Sequence, residues 1–154
     1  MDFTNAIEAS APRNKTDVKV LFHQLAGRIP RRGMVVILSD LLTNVDDIIR
    51  GLQRFRYGRH DVLVLHVLDH DELQFPFSDR TLFEGMEELN QEILTDPQSL
   101  RSSYLAALEV FLGKMRRACL DQKIDYALIS TADSLDVALT TFLATRMHRQ
   151  RAKA

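Results

Sequence analysis

Carboxylates and imidazoles standing just after aliphatic runs are the residues here whose types and spacing could do chemistry. Ser39-Asp40 follows Val35-Val36-Ile37-Leu38, and Asp69-His70-Asp71-Glu72 follows a run from Val62 to Leu68 that is aliphatic apart from His66. Acids and a histidine at neighbouring strand ends could hold a divalent cation and activate water, which makes Asp40, Asp69 and His70 the residues of a small metal-dependent hydrolase. The spacing favours a plainer reading. His66 and Asp69 fall on different sides of a strand end, and none of the paired helical ligand spacings occurs. A hydrogen-bonded core histidine followed by an acidic loop accounts for the same residues. Cys119 lies among core positions of a helix with no cationic cluster placed around it, so inert burial is expected rather than nucleophilic use. The chain has no Gly-x-Gly-x-x-Gly after a strand, no phosphate-binding loop ending in Gly-Lys-Ser/Thr and no Gly-x-Ser-x-Gly elbow.

The elements that would position these residues alternate. Val35 to Leu38 is too short and too β-branched for a helix, and its apolar residues on both faces predict a strand buried on both sides. Val62 to Val67 and Tyr126 to Ser130 read the same way. Between them lie amphipathic helices. The first, Thr16 to Ile29, places Val18, Phe22, Leu25 and Ile29 on one face, with Thr16 as N-cap and Gly27 and Pro30 at its end. In the second, Asn44 caps, Asp46 and Asp47 fill the first turn, Ile48, Leu52 and Phe55 face inward, and Gly58 suits a left-handed stop. The longest starts at Asp96-Pro97 and carries Leu100, Tyr104, Leu108, Phe111, Met115 and Ala118 to about Gln122. Thr131-Ala132-Asp133-Ser134 turns into a last helix through Leu135, Leu139, Phe142 and Leu143.

Other stretches are assigned by composition. Arg80 to Glu84 and Glu92 to Thr95 are expected to form a short hairpin, and Phe75-Pro76-Phe77 to cap the core beneath a long loop. The arginines at 28, 31 and 32 and at 50, 54, 56 and 59 read as solvated faces, with an anion site or a partner's acidic surface as the rival readings. Residues 1–14 form an N-terminal arm or short helix, 15–148 the domain, and 149–154 a basic tail. The order predicts an α/β fold: a parallel sheet with helices on both faces and right-handed crossovers.

A first helix of about 13 residues descends about 20 Å, and the strand after it climbs back about 23 Å. Thr16 and Asp40 are therefore expected on the same rim of the sheet, where open α/β sheets bind their ligands.

Composition bounds the function. The 154 residues suit one domain, with 45% hydrophobic and 27% charged residues. Twenty basic side chains balance 21 acidic ones, giving a formal charge of -1 and no global pull toward nucleic acid or an anionic membrane. One cysteine allows no intrachain disulfide and suits a reducing compartment. No apolar run approaches the roughly 20 residues that cross a bilayer, and residues 1–15 lack the layout of a secretory signal. A cytoplasmic chain with no nucleic-acid or membrane partner is expected.

An ordered set of segments resembles the domain-of-unknown-function family 58. It comprises Thr16-Asp17-Val18, Arg32-Gly33-Met34-Val35-Val36-Ile37-Leu38-Ser39-Asp40-Leu41-Leu42, Asp61 to Asp69, Phe75-Pro76-Phe77, Asp96-Pro97, Tyr104 and Asp125-Tyr126, from about Lys15 onward. The resemblance implies a three-layer, Rossmann-like, von Willebrand factor A-like domain encoded beside MoxR-type AAA+ ATPases. It also implies a protein-interaction or chaperone-partner role rather than an enzyme. In such domains a divalent cation is held by an Asp-x-Ser-x-Ser loop after the first strand, a threonine and a later aspartate. Thr16 and Asp40 match the last two, but the loop is absent and Asp133-Ser134 cannot replace it. The chain is therefore similar to the C-terminal part of the domain, N-terminally truncated, with an incomplete site and no tight metal. Mg²⁺, which demands near-octahedral oxygen coordination, would bind only if the missing loop were supplied. The strand at 34–39 would then stand beside a missing strand, and the expectation is a homodimer through it or a cover from the N-terminal segment.

Overall fold

Three aliphatic runs become three parallel strands, with helices packed against both faces of the sheet. The computed structural model describes residues 18–29, 31–78, 81–84, 92–95 and 97–151. In order these form α1 (Val18–Arg28), β1 (Met34–Ser39), α2 (Val45–Tyr57), β2 (Asp61–Leu68), α3 (His70–Gln74), β3 (Thr81–Glu84), β4 (Glu92–Thr95), α4 (Pro97–Asp121), β5 (Asp125–Ser130) and α5 (Leu135–Arg151). The arm at 1–14, the caps at Thr16 and Asp96, Pro30 and the last residues of the basic tail lie outside the described residues.

The main sheet has the order β1-β2-β5 and is parallel throughout. Its middle strand, β2, is aliphatic on both faces because both faces are covered. On one face Val62, Val64, Val35 and Ile37 meet Phe22 of α1, Ile48, Leu52 and Phe55 of α2, and Met115 and Cys119 of α4. On the other, Leu63, Leu65 and Ile129 meet, among the described helices, α5 alone, through Ala138, Leu139 and Phe142. α1 reaches the core chiefly through α2. Phe22 meets Phe55 edge-on at 5.6 Å, and Gly51 leaves room for the Phe22 ring.

One helix cannot cover three strands, and β1 shows the consequence. Val35 and Ile37 are half-buried against α1 and α2, whereas Met34, Val36 and Leu38 are 59%, 53% and 68% exposed. The expectation of a strand buried on both sides thus fails for β1, because α5 sits over β2 and β5.

Local chemistry explains the element ends. Asn44 Oδ1 accepts from the Asp46 and Asp47 N–H groups, as an N-cap should. Gly58 does not take the left-handed stop; its φ is -68°, and the following Arg59 takes it at 59°. Residues 70–74 form a short helix rather than a loop, begun by an Asp69/Glu72 capping box. The hairpin pairs Thr81–Glu84 with Glu92–Thr95. Phe75 is buried, ring to ring with Phe77 at 5.2 Å and Tyr104 at 4.8 Å, and Arg101 holds the Gln74 and Phe75 carbonyls. These aromatics cap the core, as expected.

The last helix runs on to Arg151, through residues read as tail. Arg146 is buried and ion-paired with Asp61 and Asp125, the first residues of β2 and β5. No helix among the described residues is long and apolar enough to cross a membrane.

Candidate functional site

The carboxyl ends of the three parallel strands make a rim that carries Ser39-Asp40, Leu68-Asp69-His70 and Ser130-Thr131. Parallel register brings Ser39 level with His66, and His66 level with Leu128. Of the residues singled out from sequence, Asp40, Asp69 and His70 reach this rim, and His66 lies just beneath it. Thr16 lies outside the described residues, so its match to Asp40 has no counterpart here.

His66 is fully buried, and its ring is bonded at both nitrogens. Nε2 lies 2.8 Å from the main-chain oxygen of Asp40, and Nδ1 lies 2.8 Å from the Tyr126 hydroxyl. A carbonyl oxygen can only accept, so Nε2 carries the proton and Nδ1 accepts from Tyr126. Both bonds suit the neutral ring. Burial pushes its pKa below the usual 6.5, outweighing the Asp40 carbonyl and carboxylate, which raise it. Burial also pushes the Tyr126 hydroxyl up to about 12. The imidazole is therefore a brace linking β1, β2 and β5, and not a rim ligand.

The acids are held by their own turns. Asp40 Oδ1 accepts from the Leu42 N–H at 3.2 Å and from the Ser39 hydroxyl at 3.4 Å. The chain then turns through Leu41, which is buried with a left-handed φ of 54°. Asp69 Oδ1 accepts from the Asp71 N–H at 2.8 Å, and Oδ2 accepts from the Thr131 hydroxyl at 2.7 Å. That hydroxyl in turn accepts from the His70 N–H at 3.3 Å. The Thr131 bond, then the Asp71 amide, holds the Asp69 carboxyl below the usual carboxylate range. Tyr126 and Thr131 are the partners that sequence reading missed. The signal available was their position, Tyr126 on β5 and Thr131 just past its end, which only the strand order places beside β2.

These donors do not fit a divalent cation. Among the described residues no group of three or more His, Cys, Asp or Glu side chains is placed to hold a metal ion. Asp40 offers a single carboxylate with one oxygen already engaged by its turn, and both oxygens of Asp69 serve α3 and Thr131. Octahedral Mg²⁺ would have to find almost all its ligands elsewhere. Cys119 is buried, and burial pushes its thiol up to about 12, far from a reactive thiolate.

What the rim does present is negative charge. Asp40, Asp69, Asp71 and Asp133 are exposed there, and α2 and α5 begin nearby with Asp46 and Asp136. The opposite end, where helices finish and strands begin, carries Asp61, Asp121 and Asp125 but more basic residues: Arg28, Arg31, Arg32, Arg54, Arg59 and Lys123. A chain of formal charge -1 is thus polarised end to end.

A family model matches residues 1–111. The match takes in the N-terminal arm and stops before Asp125-Tyr126, whereas the resemblance read from sequence began near Lys15 and ran past that pair. No curated protein and no solved structure matches the chain. With most of its length matched, the chain belongs to the family described as Protein of unknown function DUF58.

Proposed function

We propose that this chain is a non-catalytic protein-interaction module that works with a MoxR-type AAA+ ATPase in assembly or chaperone-like processes, docking through its acidic rim. The observation that carries this reading is the state of the rim's acids. Asp40 and Asp69 are fixed by main-chain and hydroxyl donors, so they present charge in set positions without forming a metal cage. Fixed charge of one sign steers a partner of the opposite sign and sets its orientation.

The test is a binding titration against a MoxR-type AAA+ ATPase, with Asp71→Lys and Asp133→Lys as rim variants. Binding that weakens with each reversal and with added salt supports docking through the rim. Binding indifferent to both, or none at all, overturns it. A parallel melting series with Mg²⁺, Mn²⁺ and Zn²⁺ separates the rival class. This reading expects little change, whereas a metal-dependent hydrolase using Asp40, Asp69 and His70 expects a clear rise in melting temperature.

A further inference from the structure

The strand β5 closes one side of the main sheet, and among the described residues nothing pairs with its far edge. The Thr131 N–H donates to the Leu68 carbonyl, so residues 125, 127 and 129 aim their main-chain groups at β2. By alternation, the N–H and C=O groups of Tyr126 and Leu128 and the N–H of Ser130 point outward. From Tyr126 to Ser130 the strand contains no charge and no proline.

This edge forms one wall of a groove of about 490 Å³ whose other wall is α5. Consecutive residues of β5, 125–129, line it. Successive side chains of a strand point to opposite faces, so the surface these residues share is the main chain itself. Tyr126 packs into the core on the α4 side, while Ala127 and Ile129 turn toward α5. Across from them α5 presents Val137 and Thr141, one turn apart and exposed. Ala127 and Ala138, the smallest side chains on the two walls, leave the space between them.

Charge distinguishes the two ends of the groove. At the end away from the rim, Arg146 is satisfied by Asp61 and Asp125. The middle is uncharged. At the rim end stands Asp133, whose carboxylate has no partner among the described residues.

We propose that this groove takes an extended segment of a partner protein, added antiparallel to β5, with apolar side chains at alternate positions and a lysine or arginine at its N-terminal end. A free strand edge is matched by a ligand that carries main-chain donors and acceptors at strand spacing, which a helix or a small apolar molecule does not. Antiparallel pairing is the more stable per residue, and it brings the segment's N-terminal end to Asp133. Segment residues opposite Tyr126, Leu128 and Ser130 make the main-chain bonds. Those opposite Ala127 and Ile129 place their side chains in the groove. The residue opposite Thr131 lies on that same face and sets its positive charge beside Asp133. This inference does not rest on the ATPase reading.

The test is an NMR titration of the full chain with the peptide acetyl-Lys-Thr-Val-Thr-Val-Thr-amide, in the register that sets its lysine opposite Thr131 and its valines opposite Ile129 and Ala127. The expected result is a saturable shift of the Tyr126, Leu128 and Ser130 amides. N-methylation of the peptide's central threonine, whose N–H faces Leu128, should abolish binding. N-methylation of its first valine, whose N–H faces away, should leave it. Thr141→Trp, at an exposed position, should keep the wild-type circular dichroism, fill the groove and abolish binding. Asp133→Lys should weaken binding roughly fivefold. No shift at the three amides overturns the proposal. So does equal binding by the two methylated peptides, binding that survives in a folded Thr141→Trp protein, or binding indifferent to Asp133→Lys. Amides of Tyr126 and Leu128 already protected from exchange without peptide would also overturn it. Protection that rises with protein concentration would assign the edge to a second copy, and protection independent of concentration to the chain's own residues.

Discussion

The Nε2–H of His66 donates to the main-chain oxygen of Asp40 across 2.8 Å, tying the centre of the sheet to the turn that carries the rim's first acid. The bond fixes the tautomer of a ring with no access to solvent, and it makes the histidine a pH-sensitive brace.

Folding should weaken as the solution is acidified below about 6.5. The pKa of His66 is lowered in the folded state. Between that value and 6.5 the unfolded chain binds a proton that the folded chain refuses, so stability rises with pH across this window and is lost as pH falls through it. The slope from one group is at most about 1.4 kcal/mol per pH unit. Urea denaturation of wild type and His66→Gln at pH 7.5, 6.5 and 5.5 checks this. The difference between the two proteins should shrink toward the acid end.

Thr131→Val should raise the pKa of Asp69 toward the ordinary carboxylate value. The Thr131 hydroxyl is the largest cause of its depression, and valine keeps the shape while removing the donor. Carboxyl chemical shifts followed through an acid titration read the change directly. An unmoved Asp69 would mean that the Asp71 amide alone sets its value.

Arg146→Ala should destabilise the fold by about 2 kcal/mol. The buried guanidinium joins the end of α5 to Asp61 and Asp125 at the starts of two neighbouring strands. Those acids are 50% and 24% exposed, so water relieves part of the loss. Chemical denaturation gives the number, and Arg146→Lys should recover only part of it, because an ammonium cannot present the guanidinium's fork of donors to two carboxylates.

Gly51→Ala should also destabilise, although alanine is the better helix former by about 1 kcal/mol. A Cβ built at Gly51 falls 2.8 Å from both Cβ and Cγ of Phe22, and closer still to its ring edge. The Phe22 ring is itself buried, so α1 must shift on α2, at a cost of about 1–3 kcal/mol. Thermal melting distinguishes the outcomes. A raised melting temperature would show that α1 moves freely.

Local chemistry that acts over a few residues was legible in the sequence. The aliphatic runs gave the three parallel strands, Asn44 gave its cap, and the hairpin around residues 81–95 and the burial of Cys119 and Phe75 followed from pattern. The short helix after Asp69 was equally available, since Asp69-x-x-Glu72 spells its capping box, but an acidic stretch reads as loop until the cap is noticed.

Tertiary structure decided what depends on which elements become neighbours. Val35-Val36-Ile37-Leu38 has the letters of a fully buried strand, yet half of it is bare, because exposure depends on how many helices reach that face. Tyr126 and Thr131 became the partners of His66 and Asp69 only when β5 docked beside β2. Arg146, whose neighbours in sequence suggest a solvated tail, became a buried link for the same reason. Hydrophobic period and capping are local and can be read along the chain. Strand order and helix coverage are set by long-range packing, which no stretch of this sequence encodes by itself.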